Sequence, residues 1–255
     1  MDFSQLLPKA GIVDVSELLG SLDLAASAPE ERPYTLVNFV TSVDGRAAIG
    51  GRSGRLGDEG DRAMFHGLRE QVDAVIVGTS TIKAERYGRI LAKAKRRERR
   101  VQRNLPPEPL ACVVTRSGDV PLDAPLFSEA EARVVVFSSN DIDVSACAAQ
   151  IDVVRLHPGE PTLTLAMRRL RADYGVRLLL CEGGPTLFGG LLHEGLVDEL
   201  FLTLAPKIAG GGDGPTISGG PELSAPQGLK LAWLLERCGS LFLRYRLSDS
   251  ARRSL

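Results

Sequence analysis

The strongest constraint on the fold is a set of short apolar runs that do not alternate with polar residues: DAVIVG (73–78), LACVVT (110–115), RVVVFS (133–138) and VRLLLCEGG (176–184). A strand with one wet face alternates. A strand covered on both faces reads as a continuous run of Val, Ile and Leu, and that is the signature of a parallel sheet. Helical patterns lie among these runs. DEGDRAMFHGLREQ (58–71) has acids in its first turn and Met64, Phe65 and Leu68 at helical spacing, and TLTLAMRRLRADYG (162–175) stops on Gly175. YTLVNFV, IDVVRL and VDELFLTLAP are further strands by composition, and AAIGG (47–51) reads as the start of a short one. LKLAWLLER and SLFLRYRLS form an antiparallel pair around a turn at Cys238–Gly239. The expected fold is α/β: a mostly parallel mixed sheet with helices on both faces and a C-terminal antiparallel hairpin. Residues 1–32 read as an N-terminal arm over the core, with a short helical pattern near Val15–Leu22. Residues 33–248 read as a single domain and 249–255 as a tail.

The formal net charge is −1, so no global field favours nucleic acid or a membrane surface. The basic run AKAKRRERRVQR, within an excursion at 92–104, reads as a solvated helix or loop, because it has no aromatic interleaving. Cysteines 112, 147, 181 and 238 form no C-x-x-C pair, which points to buried free thiols in a reducing compartment. The N-terminus has no signal-peptide pattern and no apolar run reaches the length of a membrane span, so a cytoplasmic protein is expected.

The candidate chemistry lies at strand ends. In open α/β sheets, ligands collect outside the carboxyl ends of the strands. Glu182-Gly183-Gly184 is such an end, and Pro185 suits the first position of the helix that follows. Two glycines let a diphosphate approach the backbone, the helix N-terminus favours the anion, and Thr186 adds a hydroxyl. Glu182 would repel a diphosphate, so it either caps local N–H groups or points into a substrate pocket. Gly78, at the end of another strand, is followed by Thr79, Ser80 and Thr81, hydroxyl residues that cap a helix or bind phosphate or ribose. After LACVVT come Arg116 and Ser117, where an arginine is either a surface turn residue or the partner of an adenosine 2′-phosphate, which would select NADP.

NFVTSVDGRAA, GRSGRL, FHGLREQVDAVIVGTSTIKAE, VVTRSG and LLLCEGGPTLFGGLLHEGLVDELFLTLAPKIAGG occur in this order over most of residues 34–212. In these motifs the chain resembles the pyrimidine reductase family of riboflavin biosynthesis, the reductase domain of the bifunctional deaminase-reductase, with a dihydrofolate-reductase-like fold. The resemblance implies hydride transfer from NADPH to the sugar carbon of a ribosylamino-pyrimidine phosphate, and a homodimer. It places Gly183, Gly184, Pro185, Thr186 and Leu187 at the cofactor diphosphate, and Thr81 and Glu85 along the cofactor. It also places Val40 near the nicotinamide and Thr115 and Arg116 near the adenosine. Ser53, Arg69 and Glu182 match substrate-contacting positions, with Glu182 the candidate for proton handling and Arg69 for the substrate phosphate. Read as residues alone, Arg69 could be a surface ion pair and Ser53 a turn serine. Asp44 in SVDG fits a tight turn. His66 reads as a packing residue, and His157 and His193 carry no motif.

The chain departs from the family pattern where Asn38 replaces a lysine, Arg55 a tryptophan, and Glu85-Arg86-Tyr87 an Asp-Asp-Pro run. These changes bear on the substrate more than on the cofactor. Two alternatives therefore stand beside the reductase reading: a paralogue reducing dihydrofolate or another pterin, and a non-catalytic nucleotide-binding protein. No metal site and no zinc-deaminase signature is expected.

Overall fold

The computed structural model describes residues 1–156 and 162–248. His157 and the 249–255 tail lie outside them. Along the chain the elements are β1 (Asp2–Leu7), β2 (Gly11–Asp14), α1 (Val15–Gly20), β3 (Tyr34–Ser42), α2 (Glu59–Arg69), β4 (Ala74–Gly78), α3 (Thr79–Glu85), α4 (Ala94–Gln102), β5 (Leu110–Thr115), α5 (Pro125–Ser128), β6 (Arg133–Ser138), β7 (Gln150–Arg155), α6 (Thr162–Tyr174), β8 (Leu178–Cys181), α7 (Pro185–His193), β9 (Glu199–Ala205), β10 (Leu229–Arg237) and β11 (Ser240–Leu247). They fall into two compact units. The first holds Met1–Asp23, Thr35–Leu68 and Pro185–Leu255, and the second Leu24–Tyr34 and Arg69–Gly184.

The second unit carries the apolar runs with which the sequence reading began. Its strands lie in the order β8-β4-β5-β6-β7, every pair parallel. Ile76, Cys112, Val113, Val135, Val136 and Leu180 are fully buried, as the unalternating pattern requires. The helical face of α6 buries Leu163, Ala166, Met167 and Leu170. At the opposite end of the strands, the Asp73 carboxylate accepts from the backbone N–H groups of Arg177 and Leu178, both at 2.9 Å, and so ties the entry of β8 to that of β4.

The basic run is an ordered helix, and several of its arginines are engaged inside the protein. Arg96 and Arg99 pair with Glu70, and Arg103 with Gln71. Arg100 is fully buried. Its Nη1 donates to the carbonyls of Arg69, Glu70 and Val72, and its Nε to that of Pro106. The cation thus satisfies the carbonyl of Arg69, the last residue of α2, and those of Glu70 and Val72 just beyond it. Burial lowers its pKa to about 10, and the negative charges of Asp73 and Glu70 work in the opposite direction.

In the first unit the order is β2-β1-β10-β11-β9-β3. β3 and β9 are parallel and the remaining pairs antiparallel. The expected C-terminal hairpin is β10–β11. The N-terminal segment is not an arm laid over the core. It adds strands, with β1 paired to β10 and Phe3 buried edge-on against Phe242 at 4.9 Å. AAIGG forms no strand, only an isolated bridge between Ile49 and Arg52. Within the sheet, β9 has β3 and β11 as neighbours, and β10 has β11 and β1. Cys112 and Cys181 are buried as expected, Cys147 is half-buried, and Cys238 is exposed because it occupies the hairpin turn. Among the described residues no helix is long and apolar enough to cross a membrane.

Candidate active site

In the second unit, the carboxyl ends of β8, β4 and β5 carry Gly183 and Gly184, Gly78, and Thr115, with Thr79 and Thr81 following Gly78 on α3. Beyond Cys181 the chain stays fastened to β4. Glu182 N–H donates to the Ile76 carbonyl at 3.1 Å, and Gly78 N–H to that of Gly183 at 2.9 Å. Gly183 has φ +97°, a conformation that L side chains rarely adopt. Gly184 is required for a different reason: a Cβ there would sit 2.9 Å from Thr81 Oγ1 and 3.6 Å from Ser80 Oγ. The first turn of α3, starting at Thr79 after Gly78, therefore lies directly against the glycine pair. Gly78 provides the N-cap without a side-chain hydrogen bond, so the hydroxyls of Thr79 and Thr81 are not used to cap from that position. Glu85 is half-buried at the end of α3. At the end of β5, Thr115 is buried and its hydroxyl accepts from Gly118 N–H at 3.1 Å, while Arg116 is exposed.

Glu182 does not cap a backbone group. Its carboxylate forms a fork with Arg69, Nε to Oε1 at 2.6 Å and Nη2 to Oε2 at 2.7 Å. Tyr87 donates its hydroxyl to Glu182 Oε2 and accepts from Arg69 Nη2 at 2.7 Å. Arg69 Nη1 also donates to the Ile90 carbonyl at 2.6 Å. The side chains of Arg69 and Glu182 are only 7% and 2% exposed. Burial by itself would lower the arginine pKa, but the adjoining Glu182 carboxylate and Tyr87 outweigh it and hold it above its ordinary value. Burial, reinforced by Glu182, pushes the Tyr87 hydroxyl well up. This corrects two expectations. Arg69 is not a surface ion pair: it is buried, with its guanidinium on the Glu182 carboxylate, the Tyr87 hydroxyl and the Ile90 carbonyl. Tyr87, which looked like one of several departures around the substrate, is a buried member of this triad.

In the first unit, β3 carries Asn38 and Val40, both at least nine-tenths buried. Among the described residues, Asn38 Oδ1 has no hydrogen-bond partner. Val40 packs with Leu56, Ala205 and Ile49. Ser53 opens a short turn in which its carbonyl accepts from Leu56 N–H at 2.8 Å, and Arg55 folds back over Gly50. Pro185 begins α7, with Thr186 exposed and Leu187 half-buried in its first turn. Gly219 N–H donates to the Pro185 carbonyl at 3.0 Å, and Gly189 lies so close to the Gly219 carbonyl that no side chain fits there. Asp44 is structural as expected: it accepts from Ser42 Oγ and from the N–H groups of Ala209 and Gly210.

The profile of the RibD C-terminal domain matches residues 33–240. The chain belongs to the RibD C-terminal domain family. Two archaeal relatives, both named 2,5-diamino-6-ribosylamino-4(3H)-pyrimidinone 5′-phosphate reductase, align over 192 residues. The Archaeoglobus fulgidus protein is 33% identical, over 74% of this chain and 87% of its own. The Methanothermobacter thermautotrophicus protein is 30% identical, over 74% and 85%. A crystal structure of a pyrimidine reductase-like protein from Corynebacterium diphtheriae superposes with a TM-score of 0.78 at 25% identity, covering 92% of this chain and 99% of the other. The mixed α/β fold with its C-terminal antiparallel strands is thus the fold expected from the motifs.

Proposed function

We propose that this protein is an NADPH-dependent oxidoreductase that delivers hydride to the sugar carbon of a ribosylamino-pyrimidine phosphate, giving the ribitylamino product of riboflavin biosynthesis. The observation that carries the reading is the strand end at Glu182-Gly183-Gly184, in a chain whose archaeal relatives are named for this reaction. Bare backbone at Gly183 and Gly184 beside the hydroxyls of Ser80 and Thr81 suits a diphosphate, and Gly78, Thr79, Pro185, Thr186 and Leu187 would be further cofactor contacts. Glu85 and Thr115 would border the nucleotide, and exposed Arg116 would meet a 2′-phosphate. Val40 would pack on the nicotinamide, while Asn38, Ser53 and Glu182 would contact the substrate.

Bound NADPH supplies the hydride. The protein must orient the substrate and deliver one proton to the sugar ring oxygen as its C–O bond breaks and the nitrogen lone pair forms the iminium that accepts hydride. Glu182, held in one orientation by Arg69 and Tyr87, handles that proton directly or through a water that it orients. Arg69 then acts as a positioning residue. A homodimer in the cytoplasm, with no nucleic-acid or membrane partner, belongs to the same reading.

The test is NADPH oxidation, followed by nicotinamide absorbance, with the 2,5-diamino-pyrimidine phosphate and dihydrofolate side by side. Turnover of the pyrimidine is expected. Turnover of dihydrofolate alone would favour the pterin reading that the Asn38 and Arg55 departures motivate, and NADPH binding with no turnover would favour a nucleotide-binding protein. Glu182→Gln should leave NADPH affinity nearly unchanged and reduce turnover. A large loss of cofactor affinity instead would assign the carboxylate to the diphosphate loop.

A further inference from the structure

The second unit holds a cavity that the cofactor and proton chemistry above does not use. Its volume is about 670 Å³, and it lies at the amino ends of the parallel strands, where Asp73, Leu110, Arg133 and Gln150 precede or open β4, β5, β6 and β7. The glycine pair stands beyond the carboxyl ends of the same strands, so the two places are a strand length apart. One wall of the cavity is the loop that leads into β5, with Pro106, Pro107 and Pro109. Proline fixes φ, so this wall is rigid and apolar without belonging to a helix or strand. A cavity of this size, with an apolar wall and a few convergent polar groups, suits a cofactor-sized ligand.

Three acids, Asp73, Glu108 and Glu131, and three arginines, Arg89, Arg97 and Arg133, line the cavity. Which of them are already engaged decides what it prefers. Asp73 accepts the backbone N–H groups of Arg177 and Leu178. Glu108 and Glu131 both accept from Arg89. The donors are less occupied. Among the described residues, Arg133 makes no hydrogen bond or ion pair. Arg97 uses only Nη1, at 2.7 Å from the Leu91 carbonyl and 2.9 Å from that of Ala92, which leaves Nε and Nη2. Behind the proline wall stands the fully buried Arg100, with its Nε on the Pro106 carbonyl at 2.8 Å and its Nη2 without a partner among the described residues. Engaged acids and idle guanidiniums beside a rigid apolar wall favour an anion carried on a flat apolar body.

The chain segment that holds the buried triad also reaches this cavity. Tyr87 donates to Glu182, and the Ile90 carbonyl accepts from Arg69. Between them Arg89 turns the other way, to Glu108 and Glu131. The next two carbonyls, of Leu91 and Ala92, are the ones that Arg97 holds. We propose that this cavity is a second ligand site, which takes a phosphorylated planar heterocycle with its phosphate among the idle guanidinium donors and its ring on the proline wall, and which lowers turnover at Glu182 through residues 87–92. A phosphate that draws Arg97 from Leu91 and Ala92 frees the end of this segment, and Tyr87 and Ile90 then lose the tether that keeps them on Glu182 and Arg69. Binding does not depend on the reductase reading; the effect on turnover rests on it.

The probe is flavin mononucleotide, a planar ring with one phosphate, and riboflavin is the same ring without it. Flavin fluorescence is titrated with protein saturated with NADP⁺, which keeps the probe's phosphate away from the glycine pair. Riboflavin should bind at least about tenfold more weakly than the mononucleotide, and Arg133→Ala should weaken the mononucleotide by about tenfold to 100-fold, the loss of a hydrogen bond between charged groups. Arg133 is exposed and opens β6 at the end away from the glycine pair, so this variant should fold and turn over like the wild type. Hydrogen exchange read by mass spectrometry should show residues 87–92 exchanging faster when the mononucleotide is added to the wild type, and no change in Arg133→Ala. In the turnover assay the mononucleotide should lower kcat and leave the KM for NADPH unchanged. No binding, equal binding of the two flavins, or binding that Arg133→Ala leaves intact would overturn the site. Unaltered exchange at 87–92, or inhibition competitive with NADPH, would overturn its action on Glu182. If no pyrimidine is turned over, the reductase reading fails separately, and the titration and the exchange still decide the proposal.

Discussion

Replacing Arg69 by methionine tests the buried triad most directly. The thioether keeps much of the length and apolar bulk of the side chain and removes its charge and its donors. What remains is the Glu182 carboxylate, whose side chain is 2% exposed, with the Tyr87 hydroxyl as its partner from the triad. Removing one member of a buried ion pair costs about 3–5 kcal/mol, because the other charge stays desolvated and uncompensated. The Ile90 carbonyl also loses its Arg69 donor. For a chain of this size, each kcal/mol moves the melting temperature by about 2–4 °C, so the 3–5 kcal/mol above predicts a fall of roughly 6–20 °C. Thermal and urea unfolding followed by far-UV circular dichroism, which reports both units, would measure it. The variant Arg69→Met/Glu182→Gln removes both charges and should recover at least about 1.5 kcal/mol relative to the sum of the single variants, as expected for residues in direct contact. A loss below about 1 kcal/mol in Arg69→Met, the range of exposed pairs, would refute the buried-pair argument. So would strict additivity in the double variant.

Gly184→Ala should reduce NADPH affinity while the protein stays folded, since the added methyl meets Thr81 Oγ1 at 2.9 Å and pushes the first turn of α3 away from the glycine pair; fluorescence titration of the cofactor checks this. Arg116→Ala should weaken NADPH much more than NADH, and equal effects on the two in the same titration would remove the 2′-phosphate role. The Asp44 pKa is lowered from 3.8 to about 2, chiefly by hydrogen bonds from Ala209 N–H and Ser42. Its folded pKa lies below the unfolded one, so its contribution is complete above pH 3.8 and disappears as the pH falls towards 2. Asp44→Asn should therefore flatten the acid limb of the stability curve in that window, which urea midpoints measured across the same pH range would reveal.

The sequence alone determined the parallel strands of the second unit, because burial on both faces writes an unalternating apolar run that needs no knowledge of the partner strand. It also determined the family and the place of the glycine pair, since motifs such as CEGGPTLFGG are contiguous. Gly183 answers to a backbone angle and Gly184 to the approach of α3, so the two adjacent glycines have distinct causes that their spelling does not separate. Tertiary structure decided where the buried charges go. Arg69 and Glu182 lie 113 residues apart, and nothing local marks either as the partner of the other. Tyr87 looked like a lost proline until its hydroxyl was seen at Glu182. Arg100 belonged to a run that composition assigns to solvent, yet its buried guanidinium donates to the carbonyls of Arg69, Glu70 and Val72. Hydrophobic periodicity is a short-range property that each segment carries by itself. The pairing of a desolvated charge depends on which strand ends and helix termini the topology makes neighbours, and that exists only in the folded chain.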